Sequence, residues 1–283
     1  MNILLTGANG FIGKHVSIFF ESQKEYTVFK IARSFHERSK NNIELDLTDK
    51  NKVMKFAREF KKKHTIDAII HLAAKMAGSK QKHIDAFRLF DVNLEIAKNL
   101  TFIAQSLLPR KLINFSSMAV YPNVDGVFDE KFCVNMSENT DCLYGLAKFC
   151  AENIFDHFLK NENMVITHLR VSQVYGDGMN KSRVMPMMRI ELKEKNTVTV
   201  FGEGKRVSNF IHIDKLLEIL RLLVIGEKSG VYNVGDEEMS YLDLAKRIIK
   251  ENGNEYSRII KHSPGSRVKF ILDTRKLNSA LKS

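Results

Sequence analysis

"NILLTGANGFIGKHVSIFFES", residues 2–22, joins a short apolar run to a helical pattern through a turn that carries three glycines. The run at 2–7 reads as a buried strand. Residues 11–22 place apolar side chains three and four apart, which is the spacing of a helix packed on one face. Gly7, Gly10 and Gly13 stand where the strand becomes the helix. Glycine there permits a tight turn, close approach of the backbone to a pyrophosphate, and close packing of helix on strand, while the first helical turn, with Phe11 and Ile12, offers amide donors and a favourable dipole. The spacing is G-x-x-G-x-x-G, one residue longer than the usual form, and its place at an N-terminal strand-to-helix turn is what gives it weight.

The same rhythm continues outward. Residues 26–33 read as a strand, 42–49 hold a short strand ending at Asp46, and a helix from about 49 to 62 precedes an apolar strand at 67–74. A long helical pattern over 84–107, closed by Pro109, leads into a strand at 111–117; a helix over 143–160 feeds another at 165–171. Such alternation predicts an α/β fold with a doubly wound parallel sheet. After residue 171 the pieces shorten, with helices near 183–194, 214–225 and 240–252, strands near 197–201 and 207–213, a strand "GVYNV" and a mixed terminal stretch. We expect a dinucleotide-binding Rossmann domain over 1–171 and a smaller mixed α/β substrate lobe over 172–283, with segments near 207–235 returning to the first domain.

The chain has 283 residues, 44% of them hydrophobic and 27% charged, the balance of a folded globular protein. The N-terminus lacks a basic region ahead of its apolar run, no stretch approaches the roughly 20 apolar residues that span a bilayer, and Cys133, Cys142 and Cys150 form no C-x-x-C spacing. A cytoplasmic setting is the expectation, with no membrane partner. The net charge of +11 invites a nucleic-acid reading, but the lysines are scattered and the densest run, "KKKH" at 61–64, reads as the solvated end of a helix. A small anionic ligand explains a positive cleft equally well, and no nucleic-acid partner is expected.

"CLYGLAKFC", from residue 142, sets Tyr144 and Lys148 one helical turn apart on one face. On an isolated amphipathic helix such a pair is ordinary, with the ring packed and the ammonium in water. Its weight comes from position. Gly7, Arg33, Asp46, Ala73, Ser117 and Arg170 all fall at the carboxyl ends of predicted strands, the edge at which open parallel sheets bind ligands. In this fold an acidic residue about 20 positions after the last glycine holds the adenosine ribose 2′-hydroxyl. Counting from Gly13 gives Arg33, whose guanidinium suits a 2′-phosphate and favours NADP(H) over NAD(H).

Ten pieces, "TGANGFIG", "LDLTD", "HLAA", "DVNLEIAKNL", "NFSSMAVYP", "YGLAK", "LRVSQVYGDG", "FGEGKRVSNFIHIDK", "GVYNVGDEEMS" and "SPGSR", run in order over nearly the whole chain. In them the sequence resembles the extended short-chain dehydrogenases/reductases that act as nucleotide-sugar epimerases, dehydratases and reductases. The resemblance implies that Asp46 and Leu47 border the adenine, that Leu72, Ala73 and Ala74 line the cofactor, and that Asn93 supports the site from its helix. It also makes Ser117, Tyr144 and Lys148 the catalytic set: Tyr144 as acid or base, Lys148 tuning it and holding the nicotinamide ribose, Ser117 bonding the reacting oxygen. Hydride transfer at a sugar carbon requires a proton to move with it. A lysine ammonium one turn away, with an oxidised nicotinamide nearby, is expected to bring the tyrosine below its ordinary value of about 10.

Toward a nucleotide-diphosphate sugar the resemblance implies Ser117, Met118, Tyr144, Gln173 and Arg267. The family's usual arginine of "G-x-G-x-x-x-R-D-F" is replaced by Ser208, while Arg206, two residues earlier on the same strand face, can serve instead. Two departures narrow the reaction. Family 4,6-dehydratases follow the catalytic Ser/Thr with Asp-Glu, where Met118 and Ala119 stand here, and the relatives that epimerise through an extra cysteine place it at Ala119. What remains is reduction of an NDP-keto-sugar by NADPH, or 4-epimerisation on tightly held NAD. A redox-sensing or nucleic-acid-binding protein on the same fold ranks below both, because the Tyr-Lys pair is intact. His71, His212 and Met185, Met187 and Met188 form no ligand cluster by spacing, and no metal is assigned. The family implies a homodimer through the helices at 84–107 and 143–160.

Overall fold

The structure is a computed structural model; residues 38, 77–82, 134–140, 161 and 283 lie outside those it describes. In chain order the elements are β1 (Asn2–Thr6), α1 (Phe11–Glu21), β2 (Thr27–Ala32), β3 (Asn42–Glu44), α2 (Lys50–Phe60), β4 (Ala68–His71), α3 (His83–Leu107), β5 (Lys111–Ser117), β6 (Gly126–Phe128), α4 (Cys142–Leu159) and β7 (Val165–Val171). Then follow β8 (Gln173–Tyr175), α5 (Val184–Lys195), β9 (Thr197–Phe201), β10 (Val207–His212), α6 (Ile213–Ile225), β11 (Gly230–Val234), β12 (Glu237–Ser240), α7 (Tyr241–Asn252), β13 (Arg258–His262), β14 (Phe270–Leu272) and α8 (Arg275–Ala280).

Seven strands form one parallel sheet in the order β11-β7-β5-β4-β1-β2-β3. This is the doubly wound order, with the chain running outward in one direction from β1 and then in the other from β4. Both faces are covered, so both sets of alternating side chains are apolar. Ile3 and Leu5 of β1 pack with Val16 and Phe20 of α1 and Leu216 and Leu220 of α6, while Leu4 faces the opposite way onto Leu100 of α3 and Phe155 of α4. Lys111 at the start of β5 is buried, and its ammonium donates to the carbonyls of Val224 (2.7 Å) and Gly226 at the end of α6, where a cation meets the negative end of the helix dipole.

The second lobe is made of small sheets: β12-β10-β8, β13-β9, and β14-β6. Its core gathers Met185, Met188 and Leu192 of α5 with Val198, Phe210, Leu244 and Ile248. Strand β11 pairs with β7 in register from Gly230↔Thr167 to Val234↔Val171, so residues 230–234 belong to the large sheet.

Two expected boundaries move. The strand expected to end at Asp46 ends at Glu44, because the Asp46 carboxylate turns back to accept from the Thr48 amide (2.9 Å) and hydroxyl (2.8 Å) and starts the turn before α2. Helix α2, capped by Asp49, stops at Phe60, and residues 61–64 lie exposed in the turn beyond it.

Candidate active site

The glycines of the first turn divide by what surrounds them. Gly7 has φ +73°, and a Cβ there would stand 2.7 Å from the Ala73 nitrogen and 2.8 Å from the Leu72 carbonyl carbon, so β1 and the end of β4 meet only through glycine. At Gly13 a Cβ would lie 2.2 Å from the Gly7 carbonyl oxygen, which fixes α1 directly against the turn. Gly10 differs: it is exposed, has φ −71°, and a Cβ would meet only the Gly7 oxygen at 3.3 Å. The fold itself does not demand glycine there. The exposed glycine leaves the first turn of α1, which no side chain among the described residues caps, open to close approach.

The strand ends around this turn are tied together. The Thr6 hydroxyl oxygen accepts from the Ala73 amide (3.2 Å) and lies 2.8 Å from His71 Nδ1, joining β1 to β4. Burial, aided by the neighbouring Lys148 charge, pushes His71 well below its ordinary value and keeps the imidazole neutral. Leu72, Ala73 and Ala74 follow as a partly buried wall. Both ends of the Asn93 amide engage the backbone of Lys75, accepting from its N–H (2.7 Å) and donating to its C=O (2.8 Å), so Asn93 shapes that wall from α3. Asn99 does the same for Leu47, donating to its carbonyl at 2.8 Å.

Arg33 directly follows β2 and is exposed; among the described residues it forms no salt bridge. It lies near Asp46, whose carboxyl sits below its ordinary value through the Thr48 amide bond first, with the Thr48 hydroxyl and the Arg33 charge adding to it against partial burial. Gly7, Arg33, Asp46, Leu47 and the 72–74 wall thus share the carboxyl edge of the sheet.

Helix α4 carries Tyr144 and Lys148. Lys148 is 5% exposed, donates to the Phe115 carbonyl at 2.7 Å, and has its ammonium 5.9 Å from the centre of the Tyr144 ring. Helix α4 packs on the 3-10 turn Met118–Val120, which brings Ser117, the last residue of β5, to the same side. The Ser117 oxygen accepts from the Ala119 amide at 3.1 Å and keeps its own hydrogen for another acceptor. Met118 is partly buried against Val120, Tyr121 and Phe128.

The expected depression of Tyr144 is not produced by the protein's own groups. Burial pushes Tyr144 up to about 12, outweighing the Arg183 charge, and burial lowers Lys148 to about 8 against the opposing charge of Glu152. The loss of water around the phenol outweighs the nearby positive charge.

Arg170, expected at the ligand edge as a strand-end residue, is committed inside. It is 3% exposed, forms a two-point bond to Glu152 (Nε 3.1 Å, Nη2 2.7 Å) and donates to the Tyr121 hydroxyl (2.9 Å), which donates to Asn233 Oδ1 (2.8 Å). Glu152 also accepts from the Ser116 hydroxyl. Sequence reading missed Glu152, although it stands one turn after Lys148 in the helical phase that joins Tyr144 to Lys148.

On the lobe side, Gln173 donates to the buried Ser208 hydroxyl (3.0 Å) and to the Tyr241 hydroxyl (3.3 Å). The Arg206 guanidinium lies over the Tyr241 ring at 5.6 Å and donates to Asn123 at 3.4 Å, while its Nε is buried without a hydrogen-bond partner among the described residues. Arg206, Tyr241 and Ser266 open onto a cavity of about 620 Å³ that Val184, Met187 and Phe201 line on the apolar side. Tyr241, which no motif flagged, is the centre of this group. Arg267 is exposed and turned toward Glu203 (3.7 Å) and the Ser263 carbonyl (3.4 Å). Among the described residues no group of three His, Cys, Asp or Glu is disposed to hold a metal ion, and none of the helices is long and apolar enough to cross a membrane.

Known proteins give this geometry its context. A dTDP-D-glucose 4,6-dehydratase of Dictyostelium discoideum is 26% identical over 275 residues, which cover 87% of this chain and 61% of that protein. A dTDP-4-dehydro-6-deoxy-D-allose reductase of a Streptomyces species is 23% identical, covering 99% of this chain and 90% of the relative. Among solved structures, the UDP-glucuronic acid 4-epimerase of Bacillus cereus, in complex with UDP-glucuronic acid and NAD, superposes with a TM-score of 0.82 at 23% identity, covering 100% of this chain and 93% of that one. The sequence profile of the NAD dependent epimerase/dehydratase family matches residues 3–235. With the parallel sheet, the glycine turn and the Tyr144–Lys148 helix in place, the chain belongs to that family, the nucleotide-sugar group of the extended short-chain dehydrogenases/reductases.

Proposed function

We propose that this protein reduces an NDP-keto-sugar with NADPH. The observation that carries the choice is Arg33: an exposed guanidinium at the end of β2, in the place where an acidic residue would hold a ribose 2′-hydroxyl and repel a 2′-phosphate. The residues fit a dinucleotide, since the Gly10 face is open and the first-turn amides of α1 are uncapped. Gly7, Gly10, Phe11, Ile12 and Gly13 would take the pyrophosphate, Arg33, Asp46 and Leu47 the adenosine end, and the 72–74 wall, Tyr144 and Lys148 the nicotinamide end. When bound, the dinucleotide supplies the hydride.

The protein's own groups supply the proton. Tyr144, protonated at neutral pH as an ordinary phenol is and more firmly so for its burial, is a donor as it stands, which is the role that reduction of a carbonyl needs. Ser117, whose hydroxyl donates to no group among the described residues, is placed to bond the developing alkoxide. Lys148, anchored on Phe115, keeps positive charge beside the Tyr144 ring. Arg206 and Tyr241 line the lobe cavity, Gln173 and Ser208 bond behind Tyr241, and together they suit a nucleoside diphosphate; the buried Arg206 Nε, without a hydrogen-bond partner among the described residues, supports an anionic ligand.

A 4-epimerase holding NAD tightly is the second reading. It is favoured by the bareness of the centre, where Met118 and Ala119 follow Ser117 and leave only Ser117, Tyr144 and Lys148 for chemistry. Mass spectrometry of cofactor released from freshly purified protein separates the two: retained NAD selects the epimerase, and an empty protein that binds NADPH more tightly than NADH selects the reductase. For the assembly we propose a homodimer through the outer faces of α3 and α4, where Phe87 and Phe158 are exposed; a monomeric mass in light scattering would remove it.

A further inference from the structure

Three consecutive residues of β5 meet one face of α4. The Phe115 carbonyl accepts from Lys148, the Ser116 hydroxyl donates to Glu152, and Ser117 is the residue assigned to the reacting oxygen. On the helix the corresponding positions are Tyr144, Lys148 and Glu152, spaced by four and therefore stacked along one stripe. Glu152 is 3% exposed, and Arg170 of β7 closes on it from the far side with two hydrogen bonds. A carboxylate is thus fixed rigidly one turn below the reactive ammonium, in a place where water does not screen it.

We propose that Glu152 is a positioning residue for Lys148: with Lys148 it grips adjacent residues of β5, and its fixed carboxylate holds the neighbouring ammonium charged and seated beside Tyr144. The inference rests on the assignment of Lys148 to the reactive centre. Lys148 loses much of its hydration, and an uncompensated buried ammonium gives up its proton. The groups that face it are Tyr144 and Glu152 on its own helix, neutral His71 at the end of β4, and the Phe115 carbonyl of β5; α3 contributes the uncharged Asn93 to the adjoining wall. Glu152 is the one anion among them, and Arg170 acts on Lys148 only across Glu152. Burial lowers the ammonium to about 8, and the Glu152 charge acts against that fall.

The test compares thermal unfolding from pH 6 to 10 for the wild type and K148M, and for the E152Q chain with and without K148M. In each pair, the stability difference begins to rise with pH where Lys148 loses its proton in the folded state, and that onset gives the midpoint of the folded-state titration. The expected result is that E152Q moves that midpoint down by about one pH unit or more, whereas S116A, which removes a hydrogen bond and leaves the carboxylate charged, leaves it in place. Should E152Q fail to fold because Arg170 is left unpaired, E152Q/R170M removes both buried charges and carries the same expectation. A midpoint that does not move in either variant overturns the proposal, as does an equal movement in S116A. The measurement needs neither cofactor nor substrate. An unmoved midpoint in a protein that binds NADPH leaves the reductase reading standing, and a moved midpoint in one that binds neither NADPH nor NADH rejects that reading alone.

Discussion

The ammonium of Lys148 donates a 2.7 Å hydrogen bond to the carbonyl of Phe115, two residues before Ser117. One bond therefore sets the distance between the helix that carries Tyr144 and the strand that ends in the serine. Ser117, Tyr144 and Lys148 thus come from β5 and α4, two packed regular elements rather than loops.

Replacing Tyr144 with Phe removes the proton donor and little else. Turnover is expected to fall by a factor of about 10² to 10⁴, while affinity for the dinucleotide stays within roughly threefold. Steady-state assays with NADPH and fluorescence titration of the same preparation check both halves. Full activity in the variant would exclude Tyr144 as the acid.

Lys148 gives a pH signature. Its folded value, about 8, lies below the ordinary 10.5 expected in the unfolded chain, so between those pH values the unfolded state binds the extra proton and stability rises with pH. The gain across the window is about 3 kcal/mol from this group, an order-of-magnitude figure. K148M should remove that slope. Differential scanning calorimetry from pH 7 to 10.5, read as the difference between wild type and variant, shows whether it does.

The glycines separate fold from binding. Gly13→Ala puts a methyl group 2.2 Å from the Gly7 oxygen and should lower the melting temperature by several degrees, in line with a loss of about 1–3 kcal/mol. Gly10→Ala meets only that oxygen, at 3.3 Å, and should leave melting nearly unchanged while weakening dinucleotide binding about tenfold. Equal behaviour of the two variants would remove the special role of Gly10.

Exchange of charge at position 33 reports on cofactor choice. Arg33→Asp is expected to turn the ratio of NADPH to NADH affinity toward NADH by about tenfold or more, since a carboxylate there repels a 2′-phosphate. An unchanged ratio in isothermal titration takes Arg33 out of the site.

Arg206→Met leaves the fold of β10 intact and removes the cation over Tyr241. Binding of UDP, GDP, CDP or dTDP, whichever raises the melting temperature of the wild type, should weaken by about tenfold. Retained affinity would shift the diphosphate grip to other residues of the cavity.

The sequence was legible where its signals were long and local. The seven-residue strand ending in Ser117 and the eighteen-residue helix α4 stand where periodicity places them, because buried strands and packed helices repeat their pattern over many positions. Strands β6 and β8, of three residues each, repeat nothing and are defined only by their partners β14 and β10. At the site, the helical spacing set Tyr144 and Lys148 on one face and the strand pattern put Ser117 at a strand end, but their grouping as a catalytic set came from the family resemblance. The state of Tyr144 was not legible, because burial is a property of the packed neighbours, and the links from Glu152 through Arg170 and Tyr121 to Asn233 join four segments far apart in the chain.

Strand β11 also bears on how the molecule is made. The ribosome releases β7 at residue 171 and β11 at residues 230–234, and between those moments the Val165–Val171 strand has an open, apolar edge with no partner. The large sheet is finished only after β8, α5, β9 and β10 of the second lobe have been synthesised, with β12, α7, β13 and β14 still to come. The nascent chain must therefore pass through an interval of exposure, and a fragment cut where the strand–helix rhythm breaks would remain in it permanently, prone to pair edge to edge with its own copies.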